Sequence, residues 1–366
     1  MLANTLILLA AVQADQRLPA PNATLDHDFS RISGVRELPD GRLLVSDWID
    51  ETVSVVDLSR NSVTQIGRRG AGPAEYRLPG ALLSLPGDST LLVDQGNERL
   101  AIIAPDLRIV RAFSSHRTGM AHGITPRAVD RDGRLYFEIP AWADPGGDKD
   151  SVSVARLDFR DGKVERLARV RGITYREGPV RGIPYVIFAP RDVWQAAPNG
   201  RIAVARSAPY AVEWREAGGS IIRGAPVPRP PLPVTARDRT AYVAHFMATA
   251  AVAGRGEAGM SAMPASEKTP EAIARLVELQ EFRKVKPPFT DRTPLIAFDG
   301  TVWVERSVAD GAPPAWDRFD SRGVFLGGVI LPAGRRLLAL GPRGAYAALV
   351  DSDGIERLER YALPSR

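Results

Sequence analysis

The sequence predicts an all-β, six-bladed β-propeller carrying a helical insertion between blades four and five. Three observations predict it. A turn-then-strand unit recurs along the 366 residues. Most neighbouring copies lie one blade apart, about 40–50 residues in such chains. The last copy also lacks a fourth strand, which a segment near the N-terminus can supply.

The unit appears as Asp40-Gly41 before Val45, Gly87-Asp88 before Val93, and Asp132-Gly133 before Phe137. It returns as Asn199-Gly200 before Val204, Asp299-Gly300 before Val304, and Arg343-Gly344 before Ala348. Asp-Gly and Asn-Gly suit two-residue hairpin turns, whose central residues both need φ > 0. Successive copies are spaced by 48, 44, 67, 100 and 44 residues. In an all-β chain this reads as four-stranded propeller blades.

The first blade shows the filling, with strands over 32–38, 42–47, 52–58 and 63–67. Third strands are expected at 99–104, 153–159, 210–215, 316–320 and 356–361. Outer strands follow at 109–113, 164–170, 221–224 and 324–331. Blade six has none, and residues 24–29 are its natural substitute. Closing the ring with a strand from the opposite terminus removes sheet edges that would otherwise pair with other chains. The propeller therefore spans 24–366.

Two spacings exceed the period. Between Phe137 and Val204, residues 141–150 and 172–184 absorb the excess as loops. Between Val204 and Val304 lies an insertion, roughly residues 235–290. Thr235 is placed to cap a helix running through Ala253, with Tyr242, Phe246 and Met247 on an apolar face. Thr269-Pro270-Glu271 supplies a cap, a proline at the first helical position and an early acid. That second helix is expected to reach about Phe282, with Ile273, Leu276, Val277 and Leu279 on one side. The small residues of 254–266 link the two helices, and the pair reads as a hairpin laid over one face of the ring.

Hydrophobic content of 44% is ample for a core, which argues against disorder. There is no cysteine. That excludes disulfides, thiolate metal sites and a cysteine-borne lipid anchor. Residues 2–12 are an apolar run ending in Val12-Gln13-Ala14, so a signal peptide over 1–14 is expected, with export to the periplasm or medium. The run lacks a basic start and is too short to span a bilayer, which needs about 20 apolar residues. The net charge is +5. Nearly all the basic residues are arginine, which fits carboxylate and phosphate contacts. They are spread over every blade rather than clustered, which argues against nucleic acid.

The motif Gly67-x-x-Gly70-x-Gly72-Pro73-x-Glu75-Tyr76-x-x-Pro79, followed by Asp94-x-Gly96-Asn97-x-Arg99, resembles an NHL-type repeat. More closely, the chain is similar to exported bacterial six-bladed β-propeller proteins of the TolB-like superfamily. Ala74 and Tyr76 stand where that family's motif has glycine and phenylalanine. The resemblance covers roughly residues 28–366 and is most specific in the first two blades. It implies the fold and export, and transfers no catalytic residue.

Chemistry is sparse in the sequence. The four histidines show no zinc-binding spacing. His122, in the loop before blade three, is the one expected near the ring mouth. Gly70-Ala71-Gly72 precedes a strand rather than a helix N-terminus, so it reads as a tight turn and not a phosphate loop. Asp94 and Asn97 are expected to cap backbone amides rather than hold calcium. Gly218-Gly219-Ser220 reads as a hairpin turn. The positional signal lies elsewhere. Arg127, Arg191 and Arg292 each precede or start an inner strand, and Arg31 holds the comparable place in blade one. These arginines either ring one channel mouth with positive charge or form surface and blade-to-blade salt bridges.

The resulting expectation is a monomeric, non-enzymatic binding module without a cofactor. Its partner would be a small molecule, a glycan or a protein, an anionic or carbohydrate ligand fitting best. The alternative is a metal-dependent hydrolase or lactonase of the gluconolactonase-like propeller type. RNA binding through a basic face is a third reading, open only if the chain stays in the cytosol.

Overall fold

The computed structural model describes residues 15–116, 123–144, 148–177, 183–253 and 269–364. The expected signal peptide, His122 and the 254–266 linker lie outside the described residues. The turn dipeptides do what their chemistry allows. The hairpins are three residues wide rather than two: Leu85 and Ser89 flank Pro86–Asp88, where Gly87 and Asp88 take positive φ of 70° and 60°, and at Asp40-Gly41, Asp132-Gly133, Asn199-Gly200 and Asp299-Gly300 only the glycine does. Elsewhere an acidic or amide side chain closes the turn on its own backbone: Asp40, Asn199 and Asp299 accept from the amides of Arg42, Arg201 and Thr301.

Six blades result. Blade one comprises Ile32–Glu37, Leu43–Asp47, Thr52–Asp57 and Ser62–Gln65. Blade two runs Pro79–Ser84, Thr90–Asp94, Arg99–Ile103 and Ile109–Ser114. Blade three has Ala128–Val129, Leu135–Ile139, Ser151–Leu157 and Val164–Arg171, its third strand beginning two residues earlier than the sequence suggests. Blade four has Val193–Ala196, Ile202–Ser207, Tyr210–Arg215 and Ile221–Arg223. Blade five has Leu295–Ile296, Val302–Arg306, Ala315–Phe319 and Phe325–Ile330, and blade six Arg335–Gly341, Gly344–Val350 and Glu356–Tyr361.

Ala23–Phe29 completes blade six, antiparallel to Glu356–Tyr361. The ring is thus closed by the N-terminal segment, as the missing strand predicts. Leu25 and Phe29 are buried in the seam between blades six and one. A second strap was not foreseen: Gln16–Arg17 pairs in parallel with Val329–Ile330 as a fifth strand on blade five. Asp15 anchors it through Arg306, at 2.7 and 2.9 Å.

Each seam between neighbouring blades holds its own apolar cluster. The glycine-rich motif locks the first seam. Tyr76 is buried there, donates to Ile66 O at 2.7 Å and accepts from Val53 N at 2.9 Å. Glu75 folds back onto Gly72 N at 2.7 Å, so a side chain at Gly70 (φ 153°) would strike its carboxylate. Asp94 accepts from Arg77 N, Asn97 and Arg99, at 2.8, 2.9 and 2.6 Å. Those residues therefore serve the junction between blades, as their turn chemistry suggests.

The insertion carries α1, Ala236–Ala253, and α2, Pro270–Leu279. Thr235 and Asp238 cap α1 reciprocally, hydroxyl to Asp238 N at 3.1 Å and carboxylate to Thr235 N at 2.8 Å. Thr269 caps α2 by accepting from Ala272 N. This helix stops at Leu279, short of the expected Phe282, because the following residues leave helical geometry to pack on another loop. Phe282 forms a bridge with Ile187, and Gln280 accepts from Ile183 N at 2.8 Å. The far end of the insertion is core rather than appendage: Phe289 is buried with Tyr210 and Phe319 between blades four and five.

Candidate ligand site at the ring mouth

The segments entering the inner strands converge on one mouth of the ring, and they bring the four arginines with them. In blade three, Arg127 donates its backbone N–H to Tyr136 O and grips Glu138 with both Nη atoms, at 2.7 and 2.9 Å. Trp194 of blade four donates to the same carboxylate at 2.8 Å, and its ring centroid lies 5.5 Å from the Arg127 guanidinium. Blade five repeats the device. Arg292 pairs with Glu305 at 3.4 Å, lies 5.5 Å from the Trp316 ring centroid and donates to Leu337 O of blade six at 2.7 Å.

In blade four, Arg191 donates to Asp291 twice, to its carbonyl at 2.9 Å and its carboxylate at 2.8 Å. Its Nε is buried without a hydrogen-bond partner among the described residues. In blade one, Arg31 pairs with Glu356 of blade six at 3.1 Å. Glu356 is wholly buried, accepts from Ile32 N at 2.8 Å and binds Arg336 at 2.6 Å. Arg336, Glu356, Glu138, Glu305 and Asp291 carry no signal in the sequence that would have singled them out.

The side chains of Arg31, Arg127, Arg191 and Arg292 remain between 30% and 34% exposed. Burial pushes the Arg31, Arg127 and Arg292 guanidiniums below their ordinary pKa. Mutual repulsion acts the same way, Arg336 on Arg31 and Arg292, and Arg191 on Arg127, while the paired acids oppose it. The mouth is therefore an arginine ring with its charge largely compensated. Arg31–Glu356 and Arg191–Asp291 join neighbouring blades or their entries, while Arg127–Glu138 and Arg292–Glu305 lie within one blade.

α1 crosses this mouth. Tyr242 is within electrostatic reach of Arg191 and Asp291, and His245, less than one turn on, of Arg31, Arg336 and Asp291. Tyr242 OH also meets Tyr185 OH at 3.1 Å, tying the helix to the loop before blade four. His245, exposed on α1, lies within reach of these charges. Desolvation first, then Arg31 and Arg336, hold its pKa below the ordinary value.

No family model matches this chain and no curated protein does. Solved structures do. A member of the DUF4221 family from Bacteroides vulgatus shares 10% identity, covering 94% of this chain and 98% of its own, with a TM-score of 0.52. A Bacteroides fragilis protein described as a candidate exported protein shares 11%, over 96% and 94%, at 0.51. A gluconolactonase from Xanthomonas campestris shares 12%, over 95% and 96%, at 0.46. Identities this low establish the six-bladed fold alone.

Proposed function

We propose that this chain is an exported six-bladed propeller, of the NHL and TolB-like kind, that binds a small anionic molecule or glycan at its mouth and leaves it chemically unchanged. In this reading residues 1–14 are removed as a signal peptide and 24–366 form the binding scaffold. The insertion, 235–290, covers the site. The observation that carries the reading is the convergence of Arg31, Arg127, Arg191 and Arg292, each partly desolvated and partly open, beneath α1. A guanidinium offers five N–H donors, and the internal ion pairs leave some of them for a ligand. Charge-assisted contacts in such a setting contribute about 1.5–3 kcal/mol each.

The lactonase reading needs a set of carboxylate or amide ligands free to hold a divalent ion. Among the described residues no three His, Cys, Asp or Glu side chains come together for that purpose. The acids at the mouth hold arginines instead. No helix among the described residues is long and apolar enough to cross a membrane.

Sulfate or phosphate, titrated at constant ionic strength, should raise the melting temperature, and Arg191→Ala should blunt the shift. An identical response in the variant would assign the arginines to the scaffold. N-terminal sequencing of the extracellular or periplasmic fraction should begin at Asp15. Full-length protein recovered only from cytosol would remove export from the reading.

A further inference from the structure

One side of the mouth is more than a ring of charge. Between blades three and four it opens into a pocket of about 450 Å³, in the size range of small-molecule sites, roughly 300–1,000 Å³. Arg127 and Arg191 form part of its wall, together with the Glu138 and Asp291 carboxylates that they grip. Two aromatic side chains line it as well, and both keep most of their surface in solvent: Trp142 at 68% and Tyr175 at 51%. Trp142 sits on a short turn, Ala141–Ala143, directly after the second strand of blade three. Tyr175 is set by an antiparallel bridge to Tyr185.

These three kinds of group ask for different things. The guanidiniums ask for an anion. The carboxylates repel a bare inorganic anion but accept hydrogen bonds from hydroxyls. The aromatic faces ask for a flat, weakly polar surface such as the C–H face of a pyranose. A simple phosphate or sulfate satisfies only the first, and an aromatic acid leaves the carboxylates without donors. A sugar ring bearing one carboxylate satisfies all three at once.

We infer that this pocket binds a uronic acid, its carboxylate on Arg127 and Arg191, its hydroxyls on Glu138 and Asp291, and its ring against Trp142 or Tyr175. The inference rests on the proposed anion-binding reading and names its ligand class.

The test uses the full chain. Glucuronate, galacturonate, a galacturonate trimer, glucose and sulfate are titrated by calorimetry, with Trp fluorescence followed in parallel. A uronate should bind at least about tenfold more tightly than glucose, a margin one charge-assisted contact supplies. Trp142→Ala removes an exposed side chain, so folding should be unaffected. It should weaken uronate binding about three- to tenfold while leaving the sulfate response unchanged. Tyr175→Ala is the second variant, should Trp142 prove to lie beside the ring rather than against it. A trimer binding more tightly than the monomer assigns the pocket to a glycan end, and equal affinities assign it to the free sugar acid. Sulfate binding without preference for uronate over glucose overturns this inference alone, as does indifference of uronate affinity to both aromatic variants. Absence of any response to sulfate and uronate overturns the underlying reading as well.

Discussion

Two walls of the same mouth use arginine in opposite ways. Where blade six meets blade one, Arg31 and Arg336 close on Glu356, which is wholly buried and also holds the Ile32 amide. Three donors from two blades share one carboxylate, and the contact is a clasp. Where blade three meets blade four, Arg127 and Arg191 each hold a separate acid that remains partly exposed, beside an open pocket. The residue type is the same in both places. What differs is how far the acid has been taken out of water: Glu356 is wholly buried, while Glu138 and Asp291 keep contact with solvent.

The largest effect should come from removing the strap beside the clasp. A chain beginning at Ser30 loses Ala23–Phe29 with the buried Leu25 and Phe29, and also the Gln16–Arg17 strap with the buried Leu18. Each such side chain contributes about 1.5–3 kcal/mol on burial, so roughly 5–9 kcal/mol is at stake before the exposed edges are counted. The shortened protein should melt earlier and aggregate. Unchanged thermal stability would place the ring closure elsewhere.

The two acids give the direct contrast. Glu356→Gln leaves Arg31 and Arg336 without their buried counter-charge and should cost about 3 kcal/mol in urea denaturation. Glu138→Gln, at a more exposed pair, should cost about 1 kcal/mol or less. It should also strengthen sulfate binding, because Arg127 then lacks an internal anion. Equal costs for the two substitutions would erase the distinction between the walls.

The smallest effect concerns α1. Partial desolvation first, then Arg31 and Arg336, depress the His245 pKa while Asp291 opposes them, so the unfolded chain takes up its proton first. The stability this neutral imidazole preserves is complete above the unfolded value of 6.5 and falls as pH drops through and below it. Comparing melting temperatures at pH 7.5 and 5.5 should show a slightly larger loss for the wild type than for His245→Gln. Parallel losses would detach His245 from the charge of the mouth.

The blades and the helix caps were legible because each rests on neighbours in the chain. Turn dipeptides set tight hairpins, though three residues wide rather than the expected two, and Thr235 and Thr269 cap helices that begin one residue later. The missing outer strand was visible as a deficit in a repeating count. The clasp was not legible. Arg31 and Glu356 are separated by 325 positions, and nothing in either neighbourhood names the other. Likewise His245 lies on a helix whose apolar face was readable, while the face turned to the arginines depends on where the whole insertion lands. The end of α2 was misplaced for the same reason: Phe282 follows a good helical pattern, but pairing with Ile187 draws it out of the helix.

The sequence by itself determined the six blades, their closure by the N-terminal strand and the position of each arginine at an inner-strand entry. These are consequences of local turn geometry and alternating burial, which are written into short stretches of chain. Only the tertiary structure decided which acid each arginine would meet and how much water each pair would keep. Ring closure brings together groups hundreds of residues apart, and the strength of a charge depends on the solvent left around it.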